Sequence, residues 1–437
     1  MTVHHSEPPP GSHLSSSRCP YGAASSATLP AYPLPIYGPE FSANPRATYA
    51  QLRTLGPIAP CEIAPGVHGY ITTTYRSALY LLRNTPTLFA KDPAHWQALR
   101  NGQVPADSPA RMMMQPSPNA LWLDGDAHAR LRGAITDSLA WIDTHALATA
   151  VARIANRLLD RVTALEHADL VSDFADPLPM QVLIEMFGCP PDLGRTIVLA
   201  IAQLFDTTQD AARVNAELEA ACLALIRLKR HQPATDVTSW LVAHPARLSD
   251  AEMVQQILLV IGAGTTPSTN LIANSLLLLI TDERFNGDVH TGVRPIADAL
   301  DHALWEDPPI SNYCPLYPRD HHTYEGVLLR PGAPILVSFA AANSDPALDQ
   351  GSHRRSGNRA HLAFSAGIRA CPAPDLARVI AEIAVEHVLD RLPDLTLACP
   401  QSDLVRRPGT FHSGWTSLPV SLPLTTTTAP HSYGGPR

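Results

Sequence analysis

One stretch near the C-terminal end, HLAFSAGIRACPAPDLAR (His361 to Arg378), constrains this chain more than any other. An apolar run stops at Phe364, and a turn of small residues follows (Ser365, Ala366, Gly367), then Arg369, Cys371, Pro372 and Pro374. From Asp375 the apolar residues of DLARVIAEIAVEHVLDRL recur at helical spacing, so the turn opens a long amphipathic helix. Cys371 then precedes a helix N-terminus, where unpaired N–H groups and the helix dipole favour a thiolate; Arg369 adds positive charge for an anion. A lone loop cysteine is ordinarily buried and inert. This setting points instead to a metal-binding thiolate.

Three other segments carry chemistry. In AEMVQQILLVIGAGTTPSTNLIANSLLLLI the apolar pattern predicts a long helix. Ala263 and Gly264 thin it in the middle, and Pro267 removes a backbone donor, so a groove or kink is expected there. In LWLDGDAHARLRGAI a helix opens at Asp124 or Asp126 as N-cap, and His128 and Arg132, four apart, share one face. That pair is either an ordinary surface pair or a grip for carboxylates. Trp96 to Asn119, with Arg111, Met112, Met113 and Met114, reads as a long functional loop or as core packing for its methionines.

Composition narrows the class. The 437 residues carry 32 Lys+Arg against 40 Asp+Glu, a net charge of −8, which argues against nucleic acid or an anionic membrane as the main partner. The seven cysteines show no CxxC or paired spacing, so neither zinc nor a disulfide framework is indicated. No uninterrupted apolar run reaches about 18 residues and no signal peptide is legible, so a cytoplasmic protein is expected. Residues 1–30 and 423–437 are rich in Pro, Ser, Thr, Gly and His and read as tails around one domain, 31–422. Within it a helix near Asn44–Leu55, a β-hairpin in PIAPCEIAPGVHGYITTT and a helix in YRSALYLLRN open the chain. Residues 137–250 are amphipathic helices with no catalytic constellation.

Phe364, Gly367, Arg369, Cys371, Leu376, Ala377 and Arg378 together resemble the haem-binding signature of the cytochrome P-450 family, a soluble bacterial type, with Ala373 where a Gly is customary. The resemblance covers Tyr32 to Leu422. It implies a mainly α fold with a small β-rich lobe, haem b as cofactor and Cys371 as axial thiolate, an arrangement that favours O–O cleavage. It places His128, Arg132 and Arg369 at the haem propionates, the segment before Asn119 and the helices around Phe205 near substrate, and the Ala263-Gly264 groove at O2. The proton relay is altered. The usual acid falls on Thr266, the first threonine on Pro267 and the second on Ser268, leaving Thr266 and Ser268 as hydroxyl candidates, unless both merely bond to the preceding turn.

Two further departures stand out. His302-Ala303-Leu304-Trp305 occupies the positions of the family's Glu-x-x-Arg, so that ion pair is missing whole, and Arg354, Arg355 and Arg359 lose their usual partner. Leu316 stands where a propionate arginine is common, with Arg319 close enough to substitute. These features resemble a branch lacking Glu-x-x-Arg. The expected function is oxidation of a small or peptide-like metabolite, by monooxygenation or aromatic coupling, with O2 and electrons from ferredoxin and its reductase. The rival is a haem protein with a regulatory role in a signalling complex.

Overall fold

The computed structural model describes residues 33–114, 116–165, 167–206, 211–285, 295–348 and 357–422. Both tails, Arg354 and Arg355, and the side chains of Met112, Met113 and Phe205 lie outside the described residues. The chain opens with β1 (Leu34–Pro35), α1 (Gly38–Ala43), α2 (Pro45–Arg53), the hairpin β2 (Ile58–Ala64) and β3 (Val67–Thr72), α3 (Tyr75–Arg83) and β4 (Phe89–Ala90). Thr74 closes a capping box at the start of α3: its hydroxyl accepts from the Ser77 amide, and the Ser77 hydroxyl accepts in return. Two short helices, α4 (Gln97–Arg100) and α5 (Pro109–Met114), occupy the segment that reads from sequence as a loop. Met114 is fully buried beside Trp96 in the core of this lobe, so packing governs it.

The helical body follows: α6 (Gly125–Ala140), α7 (Thr144–Val162), β5 (His167–Asp169), α8 (Pro177–Met186), α9 (Pro191–Asp206), α10 (Ala211–His231), α11 (Val237–Ala243) and α12 (Asp250–Thr281). Then come α13 (Ile296–Glu306), β6 (Asn312–Pro318), β7 (His322–Tyr324), β8 (Val327–Leu329), β9 (Ile335–Ser338), α14 (Phe339–Asn343), α15 (Pro374–Arg391), β10 (Thr396–Leu397) and β11 (Pro419–Ser421). The largest sheet runs β1-β2-β3-β9-β6-β4, with β3 and β9 parallel through Tyr70↔Ile335. This is the mainly helical fold with a small β-rich lobe that the resemblance implies.

α12 is the axis of the body. A capping box starts it: the Ser249 hydroxyl accepts from the Glu252 amide, and the Glu252 carboxylate accepts from the Ser249 amide at 2.8 Å. Its first half packs in one apolar cluster with α6, α9 and α10, through Ile257 and Ile261 among others. Its second half packs in another with α7, α8, α13 and α15, through Leu271, Ile272 and Leu276. Between the halves lie Gly264 and Pro267, and the helix runs through both. A Cβ on Gly264 would stand 2.9 Å from the Leu183 Cδ1 of α8, so α12 and α8 approach closely here and a larger residue would make the leucine shift. No described helix is long and apolar enough to cross a membrane.

Candidate active site

A cavity of about 240 Å³ lies where α12 faces the Cys371 loop. Ala263, Gly264, Pro267 and Ser268 line it from α12, Arg132 from α6, and Phe364, Arg369 and Cys371 from the loop. The remaining lining is chiefly aliphatic, from Ile135, Leu259, Val260, Leu271 and Ile380. The sequence scatters these residues over some 250 positions; packing of α6, α12 and α15 assembles them.

The loop is shaped to present the sulfur. The Cys371 amide donates to the Phe364 carbonyl at 2.8 Å, closing the turn on itself. Gly367 sits at φ +67, and a Cβ there would stand 3.0 Å from the Leu82 carbonyl of α3, so glycine is required. Ser365 (φ 61, ψ −167) occupies backbone space that is almost reserved for glycine, a strain of roughly 1–3 kcal/mol, and its hydroxyl is buried without a partner. The Ala373 amide reaches the Cys371 sulfur at 3.4 Å. Burial nevertheless pushes the thiol pKa up, outweighing that amide and the nearby Arg132. α15 begins on Pro374, and binding of a metal favours the deprotonated form of such a thiol.

The cations divide. Arg369, 4% exposed, donates to the Asp124 carboxylate at 2.6 Å and to the carbonyls of Ala120 and Leu123 at 3.0 and 2.7 Å; its Nε is buried with no partner. Arg132 donates to the Ala370 carbonyl and to Thr136. His128 is not among the cavity-lining residues; its Nε2 is buried and unpartnered, and burial with Arg369 and Arg132 nearby lowers its pKa to about 4. Asp124 does begin α6, but its carboxylate does not cap the helix. It accepts from the Lys91 amide at 2.8 Å and from Arg369 and Arg319 instead. Arg319 donates to Asp124 and to the Pro86 carbonyl and, like His128, is not among the cavity-lining residues.

Of the hydroxyls in GTTPST only Ser268 lines the cavity. Thr265 donates back to the Ile261 carbonyl at 2.7 Å, and Thr269 donates to Ala175 at 3.1 Å. Thr266 is not among the lining residues; at 100° per residue it falls on a different face from Gly264, Pro267 and Leu271. Pro267 cannot donate to the Ala263 carbonyl four residues earlier, and its ring crowds that oxygen. From α12 the cavity wall is therefore offered one hydroxyl, that of Ser268, and one carbonyl freed from its helical partner.

Two constellations escaped the sequence reading. Asp301, one residue before His302, is 2% exposed and pairs with Arg378 of α15 and, at 3.6 Å, with Arg359. Arg359 thus has an acidic partner after all. Lys91 is fully buried, with Nζ 2.6 Å from the Cys314 carbonyl, 3.2 Å from that of Pro315 and 4.0 Å from the centre of the Tyr313 ring. A buried lysine satisfied by carbonyls leaves no sequence signal.

The donor set suits haem b. One soft side chain, Cys371, lines a largely aliphatic cavity together with Arg132 and Arg369, and two buried nitrogens (His128 Nε2 and Arg369 Nε) have no hydrogen-bond partner. No family model matches the chain. It is 30% identical over 321 residues to cytochrome P450-SU2 of Streptomyces griseolus, covering 71% of this chain and 79% of the relative. It is 29% identical over 405 residues to the cytochrome P450 monooxygenase PikC of Streptomyces venezuelae, covering 90% and 95%. The solved structure of CYP154A1 from Streptomyces coelicolor superposes with a TM-score of 0.77 at 29% identity, over 89% of this chain and all of that one. The chain belongs to the cytochrome P450 family: it is an oxidoreductase of the P450 type whose cofactor is haem b.

Proposed function

We propose that this protein is a haem-thiolate monooxygenase for an apolar small molecule carrying a hydrogen-bond donor near its site of oxidation. Cys371 would be the axial ligand, with His128, Arg132 and Arg369 holding the propionates. Phe364 and Gly367 shape the ligand loop. Thiolate-bound haem supplies the activation of O2, the electron-rich sulfur favouring O–O cleavage. The observation that carries the reading is the juxtaposition, across one cavity, of Cys371 with Ala263, Gly264, Pro267 and Ser268.

The chain's own residues set the rest. Aliphatic walls exclude water and select apolar substrate. Ser268 Oγ and the freed Ala263 carbonyl form a polar point that holds either a water or a hydroxyl of the substrate. Thr266, off that surface, has no direct part. A substrate hydroxyl bridging Ser268 and the Ala263 carbonyl would place a transferable proton where the family's usual threonine is replaced. Monooxygenation is favoured over coupling because the wall retains a proton-bearing group. A similar protein in Streptomyces carzinostaticus, 28% identical over 388 residues, is named a 2-hydroxy-5-methyl-1-naphthoate 7-hydroxylase, and its substrate is hydroxylated and aromatic.

The test supplies ferredoxin, its reductase and O2 to the holoenzyme with hydroxy-naphthoates and their deoxy counterparts. Oxygenated product with preference for the hydroxylated member supports the reading. Ligand-induced spectral shifts without product, at matched reductant consumption, would favour a regulatory haem protein instead.

A further inference from the structure

We infer that Asp301 is a positioning residue for the Cys371 loop, acting through Arg378. The haem reading above enters only through what that loop holds; the contacts stand without it. Asp301 and Trp305 are four apart on α13 and therefore share a face. Both grip the segment that leads into the loop: Asp301 pairs with Arg359 at 3.6 Å, and the Trp305 indole donates to the Asn358 carbonyl at 2.7 Å. The other Asp301 oxygen accepts from Arg378, which lies on α15 just beyond the cysteine.

Arg378 passes the restraint on. Its guanidinium lies 5.9 Å from the centre of the Phe364 ring and donates to His361 Nε2 at 3.4 Å. The His361 ring stands 5.9 Å from that of Phe364 and edge-on to Trp305 at 5.8 Å. His361 accepts from a cation, so it must be neutral, and burial together with Arg378 lowers its pKa to about 4 accordingly. Phe364 in turn offers the carbonyl that binds the Cys371 amide at 2.8 Å. A contiguous path thus runs from one carboxylate, through Arg378 and Phe364, to the backbone of Cys371.

Charge makes Asp301 the controlling member. It is the one acidic partner that either Arg359 or Arg378 has among the described residues. Removing it leaves a buried guanidinium uncompensated, whereas removing Asp301 and Arg378 together does not. α13, lacking Glu-x-x-Arg at His302 and Trp305, is tied to the loop through Asp301 one residue earlier.

The experiment compares four holoenzymes: Asp301→Asn, Asp301→Glu, Asp301→Leu with Arg378→Met, and Leu52→Ala, a buried control on α2. Hydrogen exchange of the peptide carrying the Cys371 amide is read beside the thiolate and thiol fractions of the ferrous CO complex. Asp301→Asn should speed that exchange on the order of tenfold and raise the thiol fraction, because a broken buried pair is costly. Asp301→Glu should restore both, and the double variant should sit nearer wild type than Asp301→Asn. Unchanged exchange in Asp301→Asn, or an equal change in Leu52→Ala at equal stability, overturns the inference. If wild type itself lacks the thiolate spectrum, the ligand reading fails, while the exchange still decides the positioning role.

Discussion

The Ala373 amide donates to the Cys371 sulfur at 3.4 Å, while Pro372 and Pro374, on either side of it, have no amide to offer. Amides aimed at a ligating sulfur withdraw charge and raise the metal's reduction potential. Here the Cys371 loop keeps one such donor and forgoes two. Each missing bond, at about 0.5–1 kcal/mol, corresponds to roughly 20–40 mV for one electron. Pro372→Leu and Pro374→Gly should each raise the haem potential by that order, measured by redox titration; no change beyond error would mean that the prolines serve only to stiffen the turn.

His128 gives a prediction with opposite signs in two states. Its Nε2 is buried and unpartnered without cofactor, a cost of roughly 1–3 kcal/mol. His128→Leu should therefore leave the haem-free protein as stable as wild type or more so in urea unfolding, yet speed haem transfer to apomyoglobin. Slower transfer, or haem-free protein destabilised by more than about 1 kcal/mol, would remove His128 from the propionate site.

Lys91 predicts a pH dependence. Complete burial lowers its pKa from the usual lysine value to about 7. Between there and the unfolded value, near 10.4, the unfolded chain binds more protons than the folded one. The burial cost is thus fully present below about pH 7 and is relieved as pH rises toward 10. The difference in unfolding free energy between wild type and Lys91→Met should grow in favour of wild type from pH 7 to 9. A flat difference would show that the ammonium is not desolvated as the structure has it.

Much of this site is legible in the sequence because its elements are local. The turn at Phe364–Gly367, Cys371 and the helix behind it lie within one short stretch, and the apolar period with Pro267 inside marks α12. What the sequence conceals is tertiary. Thr266 and Ser268 are both hydroxyls near Pro267, and only the helical phase set by packing puts Ser268 alone on the cavity wall. Asp301 reads as one acid among many until α13 docks against α15 and buries it beside Arg378. The helix N-terminus beside Cys371 is legible locally, whereas the burial that raises its thiol pKa depends on the whole fold.

The ferrous CO spectrum of the Cys371→Ser holoprotein tests the proposed thiolate ligand most directly. Cys314 is buried behind Lys91, and Cys399 follows β10; neither lines the cavity. Cys371→Ser is predicted to lose the thiolate-type band, while Cys314→Ser and Cys399→Ser keep it in full. A thiolate-type band that survives in Cys371→Ser would contradict the assignment.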